Sequence, residues 1–308
     1  MTRIERSNTS SMSRRAFLGA AGAAAAAAAS WKLADPSGIA SAATRKLRLR
    51  EISIQLYTLR EKMDEDLDAV LAALQRIGYR KVEHAGFHGR TAEEFKAALD
   101  KYGLHASSGH QSVPHPYDEA QWQQHVDDAV TLGQRFIVHP IAYYALLRLG
   151  GGPQTPEPAW SDFAGALNQA GEAAKAAGLQ LGYHNHSPEV EPYEENPDRR
   201  PIDTLMEETD PELVHFELDI YWCWKGGVDP IDLLKQYPGR FRQFHVKDMN
   251  KGGDFTTPGK GTIDFVRVFK AGKKLDRINQ YIIEQDNAGE NAIKSARAGF
   301  KLLREVRF

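Results

Sequence analysis

The chain has 308 residues, of which 42% are hydrophobic and 26% are charged, and its formal net charge is −2. This balance is typical of a globular protein, and a weakly acidic chain lacks the basic surface that nucleic-acid binding requires. Cys223 is the one cysteine, which excludes an intramolecular disulfide and a thiolate-rich metal site. Because single α/β barrels of about 250 residues are common, the length favours one large domain.

The first 42 residues differ in composition from the rest of the chain. Residues 13–18 read Ser-Arg-Arg-Ala-Phe-Leu and precede a Gly/Ala run over 19–29, and residues 40–42 read Ala-Ser-Ala, a small-residue cleavage site. This pattern resembles a twin-arginine export signal. It predicts removal of residues 1–42 and export of the folded protein to the periplasm. A membrane anchor is disfavoured, because the Ala run is too short and too weakly apolar for a stable span.

After Thr44 one unit recurs, consisting of an amphipathic helix, a glycine near its end and a short apolar run. Gly78 and Gly103 end the first two helices, and Thr91 with Glu94 forms a capping box at the start of the second. The apolar runs predict eight strands, beginning near residues 52, 80, 104, 136, 179, 213, 241 and 278. Strands that alternate with helices predict a single-domain α/β protein, a (β/α)8 TIM barrel over residues 48–308. No G-x-G-x-x-G motif opens the first unit, which disfavours a dinucleotide-binding fold.

Two long polar connections, over 142–160 and 189–201, interrupt the regular spacing of the units. In a TIM barrel the loops that follow the strands lie over the strand ends, where substrates bind. These connections are therefore expected to border the site.

Ionisable residues end four successive strands in the second half of the predicted barrel. His184 ends the fifth strand, Asp219 the sixth, His245 the seventh and Glu284 the eighth. Because neighbouring parallel strands lie about 4.8 Å apart, these side chains can converge on one point. A lone His or Asp at a strand end is more often structural, but four in succession predict one divalent metal ion. Imidazole with carboxylate suits Mn²⁺, Co²⁺, Fe²⁺ or Zn²⁺ better than Ca²⁺, and Mg²⁺ stays a candidate.

The same strand ends carry motifs that resemble those of the xylose isomerase-like barrel superfamily, which contains sugar isomerases, sugar epimerases and inosose dehydratases. The motifs are Gly-Tyr-Arg-Lys-Val-Glu at 78–83, Leu-Asp-Ile at 218–220, His-Val-Lys-Asp at 245–248, Pro-Gly-Lys-Gly-Thr-Ile-Asp at 258–264, and Glu284. The resemblance covers residues 48–308 and implies that Asp219, His245 and Glu284 are metal ligands. It departs on the fifth strand, where the family commonly has a glutamate and this chain has His184. His184 to Glu189 fits a His-Asn-His-x-x-Glu subgroup.

The resemblance implies chemistry in which a metal binds two adjacent sugar oxygens and a base removes a neighbouring proton. Glu284 and Glu189 are the candidate bases. Lys247, two residues after His245 and therefore on the same strand face, can hold a developing oxyanion or protonate a leaving group. The alternative for Lys247 is a salt bridge with Asp248 or another carboxylate.

Four residues are predicted to bind substrate. Glu83, His110 and His186 can contact hydroxyl groups, and Trp222 can offer an aromatic face to a sugar ring. For each of them an ordinary structural role is the alternative.

The expected function is that of a metal-dependent isomerase or epimerase of an unphosphorylated sugar. The alternative is a lyase or dehydratase that eliminates a β-substituent from a keto-sugar or 3-keto-glycoside. His184 in place of a carboxylate weakens two-base epimerisation and favours one-base chemistry. A non-catalytic periplasmic carbohydrate-binding protein and an apurinic-site endonuclease are further alternatives, and the endonuclease is disfavoured because the chain has no basic face. The expected partner is a small carbohydrate, not nucleic acid, and homo-oligomerisation stays open.

Overall fold

The computed structural model describes residues 45–308, and the predicted export signal lies outside them. The strands are β1 (Ile52–Ile54), β2 (Lys81–His84), β3 (His105–His110), β4 (Phe136–His139), β5 (Gln180–His184), β6 (Val214–Asp219), β7 (Phe241–Val246), β8 (Asp248–Met249), β9 (Phe255–Thr256) and β10 (Gln280–Ile283). The α-helices are α1 (Arg60–Ile77), α2 (Ala92–Lys101), α3 (Glu119–Thr131), α4 (Tyr143–Leu149), α5 (Glu157–Ala176), α6 (Ser187–Val190), α7 (Pro201–Glu208), α8 (Ile220–Lys225), α9 (Pro230–Gln236), α10 (Phe265–Leu275) and α11 (Ala292–Glu305). Three 3₁₀ turns cover Leu49–Glu51, Leu56–Leu59 and Gly289–Asn291.

Eight of the strands form one parallel sheet that curls into a barrel. Around the sheet the order is β1-β10-β7-β6-β5-β4-β3-β2, while β8 and β9 form a separate antiparallel pair after β7. A parallel bridge between Gln55 and Glu83 brings the two edges together and nearly closes the barrel. The predicted single-domain (β/α)8 TIM barrel is confirmed. Within residues 45–308, no helix has the length and apolar character needed to cross a bilayer.

Local sequence signals account for several of the element ends. Thr91 Oγ1 accepts a hydrogen bond from the Glu94 amide at 3.2 Å, and the Glu94 carboxylate accepts one from the Thr91 amide at 3.0 Å, which is the predicted capping box. Gly78 ends α1 with a φ of 118°. A Cβ at this position would lie 2.8 Å from the Phe300 ring, so both the backbone angle and the packing of α11 require glycine.

The sixth strand shows how the sequence divides its side chains between core and site. Val214, Phe216 and Leu218 belong to the hydrophobic core that packs under the helices. The alternating residues His215, Glu217 and Asp219 lie on the other face, because successive side chains of a strand point in opposite directions. All six are buried. The interior of this barrel is therefore polar towards the C-terminal ends of the strands, where TIM barrels usually hold branched apolar side chains.

The connections after β1 and β4 differ in detail from the prediction. The apolar run from residue 52 to residue 57 predicts a strand of six residues, but β1 ends at Ile54, and the 3₁₀ turn Leu56–Leu59 carries Tyr57 to the mouth of the barrel. The connection 142–160 contains α4, a helix of seven residues. Glycines and prolines on both sides of α4 concealed this short helix in the sequence.

Candidate active site

The C-terminal end of the barrel brings the four predicted metal ligands together. His245 Nδ1 lies 2.7 Å from Glu284 Oε2, and His184 Nε2 lies 3.5 Å from Asp219 Oδ2. The two imidazole rings are 4.4 Å apart at their centroids. Asp219, His245 and Glu284 each offer a ligand atom within 4.8 Å of the others, and all four residues are buried. This arrangement can hold a divalent ion, and the role of each residue as a ligand stays a prediction.

A third carboxylate, Glu217, lies beneath this group, and the sequence analysis did not predict it. Its Oε2 atom is 3.0 Å from His110 Nε2, from His184 Nδ1 and from His245 Nε2. Glu217, His110, His184 and His245 form a second group whose ligand atoms lie within 4.8 Å of one another. The alternation of side chains along β6 could have predicted its position, because Glu217 is two residues before Asp219 and must lie on the same face of the strand.

Glu83 lies on the far side of His245 from Glu284. Its Oε1 atom is 2.7 Å from His245 Nε2 and 3.1 Å from His110 Nε2, and it accepts a hydrogen bond from Gln55 Nε2 at 2.9 Å. Glu83 is fully buried and does not line the cavity described below, so the structure does not bring it to the surface where it could contact substrate directly.

The histidines of the site titrate in opposite directions. Burial disfavours charge on His110, but Glu83 and Glu217 outweigh it and raise the pKa of His110 to about 9. Burial also opposes charge on His245, and Glu217, Glu83 and Glu284 raise its pKa well above the usual range. Burial, followed by the neighbouring His245, lowers the pKa of His184 well below its usual range. His184 is therefore neutral near pH 7, which is the state in which an imidazole binds metal.

Buried carboxylate oxygens at the site are consistent with a bound cation. Glu83 Oε2 and Glu217 Oε1 accept no hydrogen bond from residues 45–308, and Asp219 Oδ2 is paired only with the charge of Lys247. Burial raises the pKa of Asp219 to about 6. An unpartnered buried acceptor is costly, and a divalent ion would supply the missing charge. Two imidazoles and two carboxylates also form a donor set that suits first-row divalent ions, so the residues present fit such an ion.

Lys247 is buried among carboxylates at the floor of the site. Its Nζ atom lies 3.1 Å from Asp219 Oδ2, 2.9 Å from Glu284 Oε2 and 3.0 Å from Asp286 Oδ1. Burial disfavours its charge, but these three carboxylates raise the pKa of Lys247 well above its usual range. Lys247 directly follows the last residue of β7, and both Lys247 and His245 reach Glu284. Asp286, which follows β10, was missed because no local pattern marks it.

Asp248 has a structural role and does not pair with Lys247. Its carboxylate accepts backbone hydrogen bonds from Gly259 at 2.9 Å, from Gly261 at 2.9 Å and from Ile263 at 3.3 Å. A Cβ at Gly261 would lie 2.2 Å from Asp248 Oδ1, which requires glycine there. The motif at 258–264 thus closes a loop onto the end of β7 and holds Lys247 in place.

Glu189, the second predicted base, lies behind β5 and outside the cavity. It is fully buried and accepts hydrogen bonds from Tyr183 Oη at 2.7 Å and from the His186 amide at 3.2 Å. Tyr183 alternates with His184 on β5 and therefore points to the opposite face. Burial raises the pKa of Glu189 to about 7. The structure does not bring Glu189 together with Glu284 and Lys247, and its contacts fix the turn that carries His186.

A cavity of about 450 Å³ opens above these groups. Its polar lining consists of His110, His184, His186, Lys247, Glu284 and Asp286, and its apolar lining consists of Tyr57, Ala85, Pro140, Ile141, Leu146, Leu149 and Trp222. The Trp222 ring lies 5.0 Å from the His186 ring and 5.7 Å from Lys247 Nζ. Of the four predicted substrate-binding residues, His110, His186 and Trp222 therefore line the cavity.

Comparisons with known proteins agree with this fold. The family model described as xylose isomerase-like TIM barrel matches residues 71–306. An inosose dehydratase from Clostridium perfringens is 28% identical over 279 residues, covering 79% of this chain and 90% of that protein. An inosose dehydratase from Geobacillus kaustophilus is 26% identical over 251 residues, covering 71% and 80%. The structure of a sugar phosphate isomerase/epimerase from Parabacteroides distasonis superposes with a TM-score of 0.69 at 25% identity, covering 84% of this chain and 94% of that one. The chain therefore belongs to the xylose isomerase-like TIM barrel family.

Proposed function

We propose that this protein is a metal-dependent lyase that eliminates a β-substituent, as water or an alcohol, from a keto-sugar or keto-glycoside. The observation that carries the proposal is the position of Lys247, a buried ammonium group that faces the cavity between Asp219, Glu284 and Asp286. Elimination needs an acid for the leaving group as well as a base, and this arrangement offers both. The similarity to the two inosose dehydratases described above also supports the proposal, because a dehydratase is named for an elimination.

The carboxylates that line the cavity favour one-base chemistry. Glu284 and Asp286 both follow β10, whereas His184 and His186 occupy the corresponding place after β5. Two-base epimerisation would require a base on each face of the reacting carbon, and a carboxylate is available on one side of this cavity. The isomerase or epimerase activity expected from the sequence stays the second candidate. It is supported by the likeness to the structure from Parabacteroides distasonis.

A divalent ion held by His184, Asp219, His245 and Glu284 would act as a Lewis acid on the substrate carbonyl. A carboxylate that binds an ion is a poor base, so we assign the base role to Asp286 rather than to Glu284. Burial raises the pKa of Asp286, which makes its carboxylate a stronger base than usual.

The proton transfers balance within the Lys247 and Asp286 pair. Asp286 takes the proton from the carbon next to the carbonyl, the bond from the neighbouring carbon to the leaving oxygen breaks, and a carbon–carbon double bond forms. Lys247 gives a proton to the departing oxygen. The 3.0 Å contact between Lys247 Nζ and Asp286 Oδ1 then returns the proton from Asp286 to Lys247.

The experiment compares elimination with isomerisation in one sample. Protein loaded with Mn²⁺ is incubated with 4-nitrophenyl 3-keto-β-D-glucoside, and the release of nitrophenol is measured by absorbance. The same protein is incubated with a panel of free ketoses, and their interconversion is measured by NMR. We expect nitrophenol release that a chelator abolishes, and we expect Lys247→Met to lower the release of phenol from phenyl 3-keto-β-D-glucoside, a leaving group that needs an acid, by about 10²–10⁴-fold. Lys235→Met is the matched control, because Lys235 pairs with Asp232 on an exposed surface. Interconversion of free sugars without nitrophenol release would refute the lyase proposal.

A further inference from the structure

We infer that the apolar half of the cavity is a subsite for an apolar, flat aglycone, so that the substrate is a keto-glycoside rather than a free sugar. This inference rests on the proposed function and specifies its substrate class. Three large apolar side chains line the cavity although much of each is exposed: Tyr57 is 42% exposed, Leu146 56% and Leu149 40%. Single exposed apolar residues are ordinary, but several that face one cavity indicate a binding surface.

The polar and apolar linings come from different parts of the barrel. Polar side chains near the reacting groups come mainly from the ends of β5, β7 and β10, while the apolar ones come mainly from the connections after β1, β2 and β4. A ligand held by Lys247 and Asp286 at one end can therefore extend over Leu146 and Leu149 at the other. Hydroxyl groups placed against these leucines would lose hydrogen bonds to water without gaining any.

The leucine face of α4 is fixed in this orientation by the packing of the rest of the helix. Ala145 is fully buried, and the Tyr144 ring packs at 5.5 Å from the Trp160 ring on α5. Leu146 and Leu149 are three residues apart and therefore lie on the same face of the helix. The buried side of α4 is thus already occupied, and the two leucines face the cavity.

The aglycone position agrees with the direction of the proposed elimination. When the bond between the sugar carbon and the aglycone oxygen breaks, the aglycone departs as a phenol or alcohol with the proton from Lys247. Trp222 lies 5.7 Å from Lys247 Nζ and belongs to the apolar lining, so an aromatic aglycone can contact it beside the proton donor.

The test measures binding and does not depend on turnover. Affinities of phenyl β-D-glucoside and methyl β-D-glucoside, which lack the keto group, are measured by calorimetry on the Mn²⁺-loaded protein. We expect the phenyl glycoside to bind at least about tenfold more tightly, and Leu146→Ser with Leu149→Ser to reduce this ratio about tenfold. Tyr143→Ser is the control, because Tyr143 is 70% exposed on the same helix and does not line the cavity.

Three results would overturn the inference. The first is equal affinity for both glycosides in the wild-type protein, and the second is an equal loss of affinity for both in the double variant. The third is a change in molar mass of the double variant in light scattering, which would assign the leucine face to contact with a second copy of the chain. A preference for phenyl glycosides without any keto-glycoside turnover would refute the lyase proposal and leave the subsite standing.

Discussion

Replacing Glu217 by glutamine tests the contact on which the inner part of the site depends. One carboxylate oxygen of Glu217 lies 3.0 Å from three imidazole nitrogens, those of His110, His184 and His245. In the metal-free protein the pKa of His110 is raised to about 9 and the pKa of His245 is raised well above its usual range, so both rings carry a proton near pH 7. An amide keeps the shape and one acceptor, but it removes the negative charge that both rings share.

The magnitude follows from the burial of the whole group. Glu217 and His245 are fully buried, so solvent does not screen the lost interaction. Removing one partner of a buried ion pair costs about 3–5 kcal/mol. Because glutamine retains an acceptor and Glu83 still contacts both rings, we expect the lower part of that range for Glu217→Gln, about 3 kcal/mol.

Urea unfolding at pH 7, in buffer with a chelator, measures this free energy of unfolding. The matched control is Glu212→Gln, an exposed glutamate that precedes β6, for which a change within about 0.5 kcal/mol is expected. If Glu217→Gln had the same free energy of unfolding as Glu212→Gln, the charge of Glu217 would not stabilise the three imidazole rings that it contacts. The protonation states assigned to His110 and His245 would then be wrong.

Four further outcomes follow from the site and from the predicted export signal. The pKa of His110 is about 9 in the folded protein and near 6.5 in the unfolded chain, so protonated His110 stabilises the fold. In the metal-free protein this stabilisation is full below pH 6.5 and is lost as the pH rises through 9. Urea unfolding midpoints measured across this pH range would show the loss. Asp219→Asn should weaken Mn²⁺ binding in calorimetry by more than about 100-fold, since even changes outside the ligand set cost about 10–100-fold. Glu189→Gln should keep kcat within about threefold if Glu189 only positions His186, whereas loss of a base would cost about 10²–10⁴-fold. Replacing Arg14 and Arg15 by lysine should stop the proposed export and leave the protein, still with its N-terminal segment, in the cytoplasmic fraction.

The barrel could be predicted from the sequence because its signals are local. Eight apolar runs, a capping box at Thr91 and a left-handed glycine at Gly78 each depend on a few neighbouring residues. Strand ends could also be predicted, which is why Asp219, His245 and Glu284 were expected to converge and do. The hydrophobic periodicity and the positions of the strand ends were therefore sufficient to predict the fold and the outer part of the site.

The inner part of the site could not be found in the same way. Glu217 was missed because the residue at the strand end was considered without the one two positions earlier, although both face the interior. Asp286 lies in a connection, where no periodic pattern operates. Glu189 was a candidate base implied by the family resemblance, and the motif does not show that Tyr183, on the outer face of β5, would bind its carboxylate.

The two histidines predicted to bind the metal share one arrangement of partners, which explains how His184 could replace the glutamate expected from the family resemblance. His245 directs Nδ1 to Glu284 and Nε2 to Glu83 and Glu217, while His184 directs Nε2 to Asp219 and Nδ1 to Glu217. A histidine that binds a metal needs a carboxylate or carbonyl on its other nitrogen to fix its tautomer and orientation. Glu217 supplies that partner to both rings. An imidazole on β5 can therefore present one fixed donor nitrogen to an ion, as the glutamate would present an oxygen, because β6 carries a second inward carboxylate beneath Asp219.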